Sequence, residues 1–151
     1  MKRKTVLVLL LLLSLVLIPS VAAQEWSVYD WEISIEEARE RAVEENKELM
    51  YFFAGSDWCS WCERLIGEVF SQDLFRSFES SYVVPVLIDF PRQRAIPEEL
   101  MERNFELQEE FGVQAYPTVV ILTPQGEEKF RTGYQQGGAG QYVNHLLPHV
   151  R

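Results

Sequence analysis

The sequence predicts an α/β fold, and three observations carry that reading. Segments with apolar residues at helical spacing alternate with continuous apolar runs of strand length. The last two strand segments are joined by the turn Pro124-Gln125-Gly126, the mark of a hairpin, and a Ser-x-x-Glu cap stands where the first helix should begin.

After an aromatic lead-in from Trp26 to Trp31, Ser34-Ile35-Glu36-Glu37 has the spacing at which a serine and a glutamate cap a helix reciprocally, so a helix is expected over Ile35 to Asn46. Glu48 to Ala54, with the unbroken run Leu49 to Phe53, reads as a buried strand ended by Gly55-Ser56-Asp57. From Cys59 the apolar positions Trp61/Cys62, Leu65/Ile66 and Val69/Phe70 recur every four residues and make the stripe of an amphipathic helix. That stripe predicts Trp61 and Cys62 as inward-facing. Cys59, three residues earlier on the first turn, falls on the same side and is the more exposed thiol.

A short helix is expected over Asp73 to Glu79, then a second strand from Tyr82 to Asp89. Pro85 has no N–H for a ladder, so this strand is expected at a sheet edge or with that nitrogen facing outward. Phe90 to Ile96 reads as a polar loop. Pro97 suits the first turn of a helix reaching Phe111, with Leu100, Met101, Phe105, Leu107 and Phe111 as its apolar positions and Gly112 as its stop. Thr118 to Leu122 and Glu127 to Thr132 are the hairpin strands. The glycine-rich stretch Gln135 to Gly140 leads to a closing helix over Gln141 to Leu147, with Tyr142, Val143, Leu146 and Leu147 inward.

Ahead of all this stands an export leader: Lys2-Arg3-Lys4, an apolar run of 13 residues from Val6 to Ile18, then small residues ending at Ala23. The run is shorter than the roughly 20 residues a membrane span needs. Residues 1–23 are therefore expected to be a signal peptide and 24–151 a single domain, in the periplasm or secreted; a retained anchor is the alternative. All 23 acidic residues but only 11 of the 14 basic ones follow Ala23, a formal charge of −12 that argues against nucleic acid as a partner. A monomer with a solvated acidic surface is expected.

The two cysteines of the chain both lie in Trp58-Cys59-Ser60-Trp61-Cys62. A bond across so short a loop stabilises by only about 2 kcal/mol, against about 4.7 kcal/mol for a loop of a hundred residues, so the placement points to chemistry rather than stapling. His145 and His149 are four apart, but 82 residues separate them from Cys62, far from zinc-site spacing, and no metal is expected.

The order of elements, the Cys-x-x-Cys at a helix start and Ala115-Tyr116-Pro117-Thr118 entering a strand, with Pro117 55 residues after Cys62, resemble the thioredoxin superfamily. Gly55-Ser56-Asp57-Trp58-Cys59, Asn46-Lys47 and Asp89-Phe90-Pro91-Arg92 are similar, more narrowly, to its small exported bacterial members. The resemblance spans about Trp31 to Leu147. It implies a thioredoxin fold, a central mixed β-sheet flanked by helices. It also implies dithiol–disulfide exchange without a bound cofactor, with Cys59 as nucleophile, Cys62 as resolving thiol and Pro117 as a cis residue beside them.

Trp58, Trp61, Tyr116 and Pro117 are the candidate substrate-binding residues; Tyr116 is expected to face the dithiol, where its backbone could pair with an extended peptide. The positive end of the helix dipole favours the Cys59 thiolate. Asp57 and Glu63 oppose it, with Arg64 the one nearby cation in sequence, so a moderately lowered thiol pKa is expected. One departure stands out: many redox-active members carry a buried acid six residues before the first cysteine, and here that residue is Phe53. The leading expectation is a thiol–disulfide oxidoreductase acting on exported protein thiols and disulfides; working as a reductant it would need an electron donor across the membrane. The rival is a non-catalytic binding or chaperone-like module with an inert disulfide.

Overall fold

The computed structural model of the protein describes residues 27–31 and 34–150; the leader and Trp26 lie outside them. A short 3₁₀ turn, Val28–Asp30, precedes α1 (Ile35–Glu44), β1 (Glu48–Ala54), α2 (Ser60–Leu65), α3 (Asp73–Tyr82), β2 (Val83–Asp89), α4 (Glu98–Glu110), β3 (Thr118–Leu122), β4 (Glu128–Thr132) and α5 (Gly138–Leu146). The sheet order is β2-β1-β3-β4, with β1 parallel to β2 and antiparallel to β3, and β3 antiparallel to β4. The sheet is therefore mixed, and Pro85 lies on an edge strand as its missing N–H requires.

Each helix boundary has a local cause. The hydroxyl of Ser34 accepts the Glu37 N–H at 3.2 Å and starts α1. The helix stops two residues before the expected Asn46. That residue takes a left-handed φ of 54°, which asparagine tolerates, and Lys47 N–H returns to Ala42 C=O. α3 runs three residues beyond the expected Glu79, its serines 77, 80 and 81 hydrogen-bonding back to carbonyls one turn earlier without leaving the helical path. α5 begins three residues before the expected Gln141, because Gly137 at its N-cap adopts φ 110°, a conformation open to glycine. Leu147, expected inside that helix, opens a 3₁₀ turn containing Pro148.

β1 is buried along its whole length, and its alternation divides the core. Met50, Phe52 and Ala54 meet α2, α3 and α5; Leu49, Tyr51 and Phe53 meet α1 and α4. The first layer centres on Phe70, whose ring lies 5.1 Å from both Trp31 and Phe52, 4.6 Å from Phe75 and 6.0 Å from Tyr142. In the second layer α4 departs from its apolar pattern. Leu107 is buried, but Phe105 is 55% exposed and Asn104 only 1%. The Asn104 amide donates to the main-chain carbonyl of Asp89 at 2.8 Å, an acceptor at the end of the edge strand that would otherwise be buried without a partner.

Phe70→Ala is expected to lower the unfolding free energy by about 3–5 kcal/mol in urea denaturation, whereas Val43→Ala, at an exposed position, should change it by less than about 0.5 kcal/mol.

Candidate functional site

The dithiol sits where β1 turns into α2. Cys59 is the N-cap of α2, in an extended conformation, and Cys62 lies one turn in, with Cα atoms 5.2 Å apart across the Cys59–Cys62 disulfide. Cys59 Sγ accepts the Cys62 main-chain N–H at 3.2 Å. This bond and the free N–H groups of the helix end are what would hold negative charge on that sulfur. Cys59 is 6% exposed and Cys62 fully buried, the asymmetry expected from the sequence. Beyond Leu65 the helix widens into a π turn over Ile66–Phe70.

The turn carrying Cys59 is fastened to the segment after β2. Ser56 donates its N–H at 2.9 Å and its hydroxyl at 2.6 Å to the buried Asp89 carboxylate, which also pairs with Arg94. Asp57 accepts the main-chain N–H groups of Arg92 at 2.8 Å, Gln93 at 2.7 Å and Arg94 at 3.2 Å. Burial pushes the Asp57 carboxyl up, but those three donors together outweigh it and hold the group below its usual range. The Trp58 indole N–H donates to Phe90 C=O at 2.8 Å. Gly55 is required beneath it, because a Cβ there would run into the indole.

Two aromatic walls flank the dithiol. On one side Trp58 meets Tyr116 edge-on at 5.7 Å, Tyr116 packs on Phe90 at 5.4 Å, and the Arg92 guanidinium lies 3.6 Å from the Trp58 ring centre. Tyr116 thus packs on the Trp58 side of the site. The Tyr116–Pro117 peptide is cis. Thr118 pairs with Phe53, so Pro117 runs alongside the end of β1, where the chain turns toward Cys59. On the other side Trp61 packs against Tyr134 at 5.1 Å with the rings tilted by 46°, and Arg64 lies over both at 5.0 and 5.2 Å. Arg64 and the Tyr134 hydroxyl both bond Glu68, and the Tyr134 bond, followed by that of Arg64, holds the Glu68 carboxyl below its usual range.

One expectation is corrected here. Trp61 is not inward-facing: it is 49% exposed, because adjacent residues stand about 100° apart on a helix and Cys62 takes the centre of the stripe. Arg64 is the one nearby cation in sequence; in the fold the loop after β2 also brings Arg92 onto Trp58. The Asp57 carboxylate accepts three main-chain donors and, held below its usual range, keeps its negative charge next to Cys59. Phe53 belongs to the apolar layer against α1 and α4, its ring 6.2 Å from Phe111, while both cysteines belong to the other layer. His145 and His149 stand away from the dithiol, both against Phe130. Among the described residues no group of three His, Cys, Asp or Glu side chains is placed to hold a metal.

Residues 35–143 match the model of the thioredoxin-like domain family. The chain is similar to the disulfide bond reductase DsbH of Chlamydia pneumoniae, 33% identical over 114 residues that cover 76% of this chain and 68% of that protein. The thioredoxin-related protein DsbJ of the same organism is 24% identical over 97% of this chain, which spans 42% of that longer protein. A solved structure of DsbH oxidoreductase superposes with a TM-score of 0.75 at 32% identity, covering 80% of this chain and 83% of its own.

Asp57→Asn removes the carboxylate while keeping its shape. It is expected to raise amide hydrogen exchange at Arg92, Gln93 and Arg94 by about ten-fold, as for loss of a charge-assisted bond. Because the folded-state pKa of Asp57 is lowered, the tether should be intact above the ordinary aspartate range and lost as pH falls through that lowered value.

Proposed function

The chain belongs to the thioredoxin-like family, and from that premise we propose that it is a reductive thiol–disulfide oxidoreductase acting outside the cytoplasm on disulfides of exported proteins. The carrying observation is the asymmetry of the dithiol, with Cys59 on a helix N-terminus keeping 6% exposure and Cys62 sealed behind it. In the reduced protein the Cys59 thiolate attacks one sulfur of a substrate disulfide. A mixed disulfide forms, and the first substrate sulfur leaves as a thiolate that takes a proton. Cys62, as thiolate, then attacks Cys59 Sγ, and the second substrate thiol departs. The protein has lost two electrons and two protons, the substrate has gained both, and Cys59–Cys62 is a disulfide. Its re-reduction needs a dithiol donor, for which a membrane electron-transfer protein is the expected partner.

The reductive direction is favoured by what surrounds the sulfur. A strongly oxidising pair owes its potential to a stabilised reduced form. Here stabilisation of the thiolate rests on the helix end and one N–H bond. The intervening Ser60-Trp61 carries no positive charge, Arg64 is paired with Glu68, and the Arg92 guanidinium is held on the face of the Trp58 ring. The name of the DsbH relative points the same way. Trp58, Trp61 and the Tyr116–cis-Pro117 edge are the surfaces on which an extended substrate would lie, and no organic cofactor takes part in this scheme.

Insulin reduction driven by an external dithiol should fall to the uncatalysed rate in Cys59→Ser. Cys62→Ser should accumulate a mixed disulfide visible by mass; activity unchanged in Cys59→Ser would instead identify a binding module. The alkylation rate of reduced Cys59 should titrate only moderately below the range of a free thiol, and a midpoint below about 5 would overturn the reductive assignment.

A further inference from the structure

Beside the dithiol, on the Trp58 side, lies a cleft of about 280 Å³ lined chiefly by Trp58, Phe90, Arg92, Met101, Phe105 and Tyr116. Two of its walls are the residue before the attacking cysteine and the residue before the cis proline, which puts the cleft within reach of a chain engaged at Cys59. Its size falls just short of the roughly 300–1,000 Å³ typical of small-molecule sites and suits a single side chain.

The lining has two chemical parts. Phe90 lies 5.4 Å from both Tyr116 and Phe105, giving a row of rings that ends in the half-uncovered Phe105. An apolar side chain seated there would shield that ring from water. At the mouth stands the exposed Arg92 guanidinium. Arg64, Arg94 and Arg131 all pair with carboxylates, whereas Arg92 has no ion pair among the described residues and only the Trp58 face beneath it. Burial raises the Tyr116 phenol pKa, with Arg92 pulling in the opposite direction, so the hydroxyl beside that cation stays a donor at neutral pH. Two donors with no acid of their own suit a carboxylate. The main chain of Arg92 is already fixed by Asp57, so part of the ordering needed for binding is in place before a ligand arrives.

We propose that this cleft is a side-chain subsite for the substrate protein, selecting disulfides whose cysteine has a bulky apolar residue and an acidic residue within two positions of it. The proposal rests on the exchange activity set out above and adds to it the substrate's local sequence.

The test uses the full mature protein and disulfide-linked peptides in which the positions within two residues of the cysteine carry Phe or Ala and Glu or Gln, in all arrangements. In the best arrangement kcat/KM should be about ten-fold higher for Phe than for Ala and about two- to five-fold higher for Glu than for Gln, the second preference shrinking with added salt. Arg92→Gln should remove the Glu preference and Arg92→Lys retain part of it, whereas Phe105→Ala should shrink the Phe preference alone. Equal rates across the peptides, or preferences that these substitutions leave untouched, would overturn the subsite and leave the exchange activity standing. Failure to reduce any peptide or insulin would remove both. Self-association abolished by Phe105→Ala would give the cleft to a second copy of the chain and likewise overturn the proposal.

Discussion

The site depends on the fastening of one turn to a distant loop. Residues 56–58, between β1 and α2, are held by bonds to Asp89, Phe90 and the main chain of Arg92, Gln93 and Arg94, all more than 30 residues away in sequence. Parallel pairing of β1 with β2 brings the two C-terminal strand ends together, with Ala54 opposite Asp89. The two aspartates then convert that proximity into a fixed geometry. Ligands of parallel sheets gather at the carboxyl ends of strands because the chain leaves the ladder there, freeing side chains and helix ends for chemistry. Cys59 and Arg92 both occupy such positions, and one carboxylate, that of Asp57, connects their loops.

This fastening explains why the two cysteines differ. A dithiol exchanger needs one sulfur that meets substrate and another that meets only the first sulfur. With the turn fixed, α2 starts at Cys59, and its helical period carries Cys62 into the layer containing Leu65, Val69 and Phe70. The replacement of an acid by Phe53 is accommodated by the sheet. That ring packs in the layer against α1 and α4, where a carboxylate would stand unpaired among apolar groups.

The sequence disclosed what local chemistry determines. The uninterrupted run Leu49 to Phe53 could only be a strand buried on both faces, Ser34 and Glu37 marked a helix start, and Pro85 marked a sheet edge. The cysteine pair and Tyr116-Pro117 stood out because few other roles call for those residues in that order. What escaped notice depends on contacts between remote segments. The tethering roles of Asp57, in a turn, and Asp89, at a strand end, emerge only when the β1–β2 register sets Ala54 opposite Asp89. Arg92 belongs to a segment that reads as a polar loop, yet it ends on the face of Trp58. Trp61 was misjudged because a four-residue periodicity does not separate the centre of a stripe from its edge. Asn104 is buried among apolar neighbours because a strand-end carbonyl needs its amide, and no sequence pattern on α4 shows that need.

The most direct test of the account is the equilibrium potential of the Cys59–Cys62 pair, titrated against dithiol–disulfide buffers and read by the alkylation mass shift of the two thiols. A reductase with a thiolate held only by a helix end and one N–H should lie nearer the roughly −270 mV of a reducing thioredoxin pair than the roughly −120 mV of a strong oxidant. A value near −120 mV would reverse the direction assigned here, and one below about −300 mV would make the bond structural and contradict the account altogether.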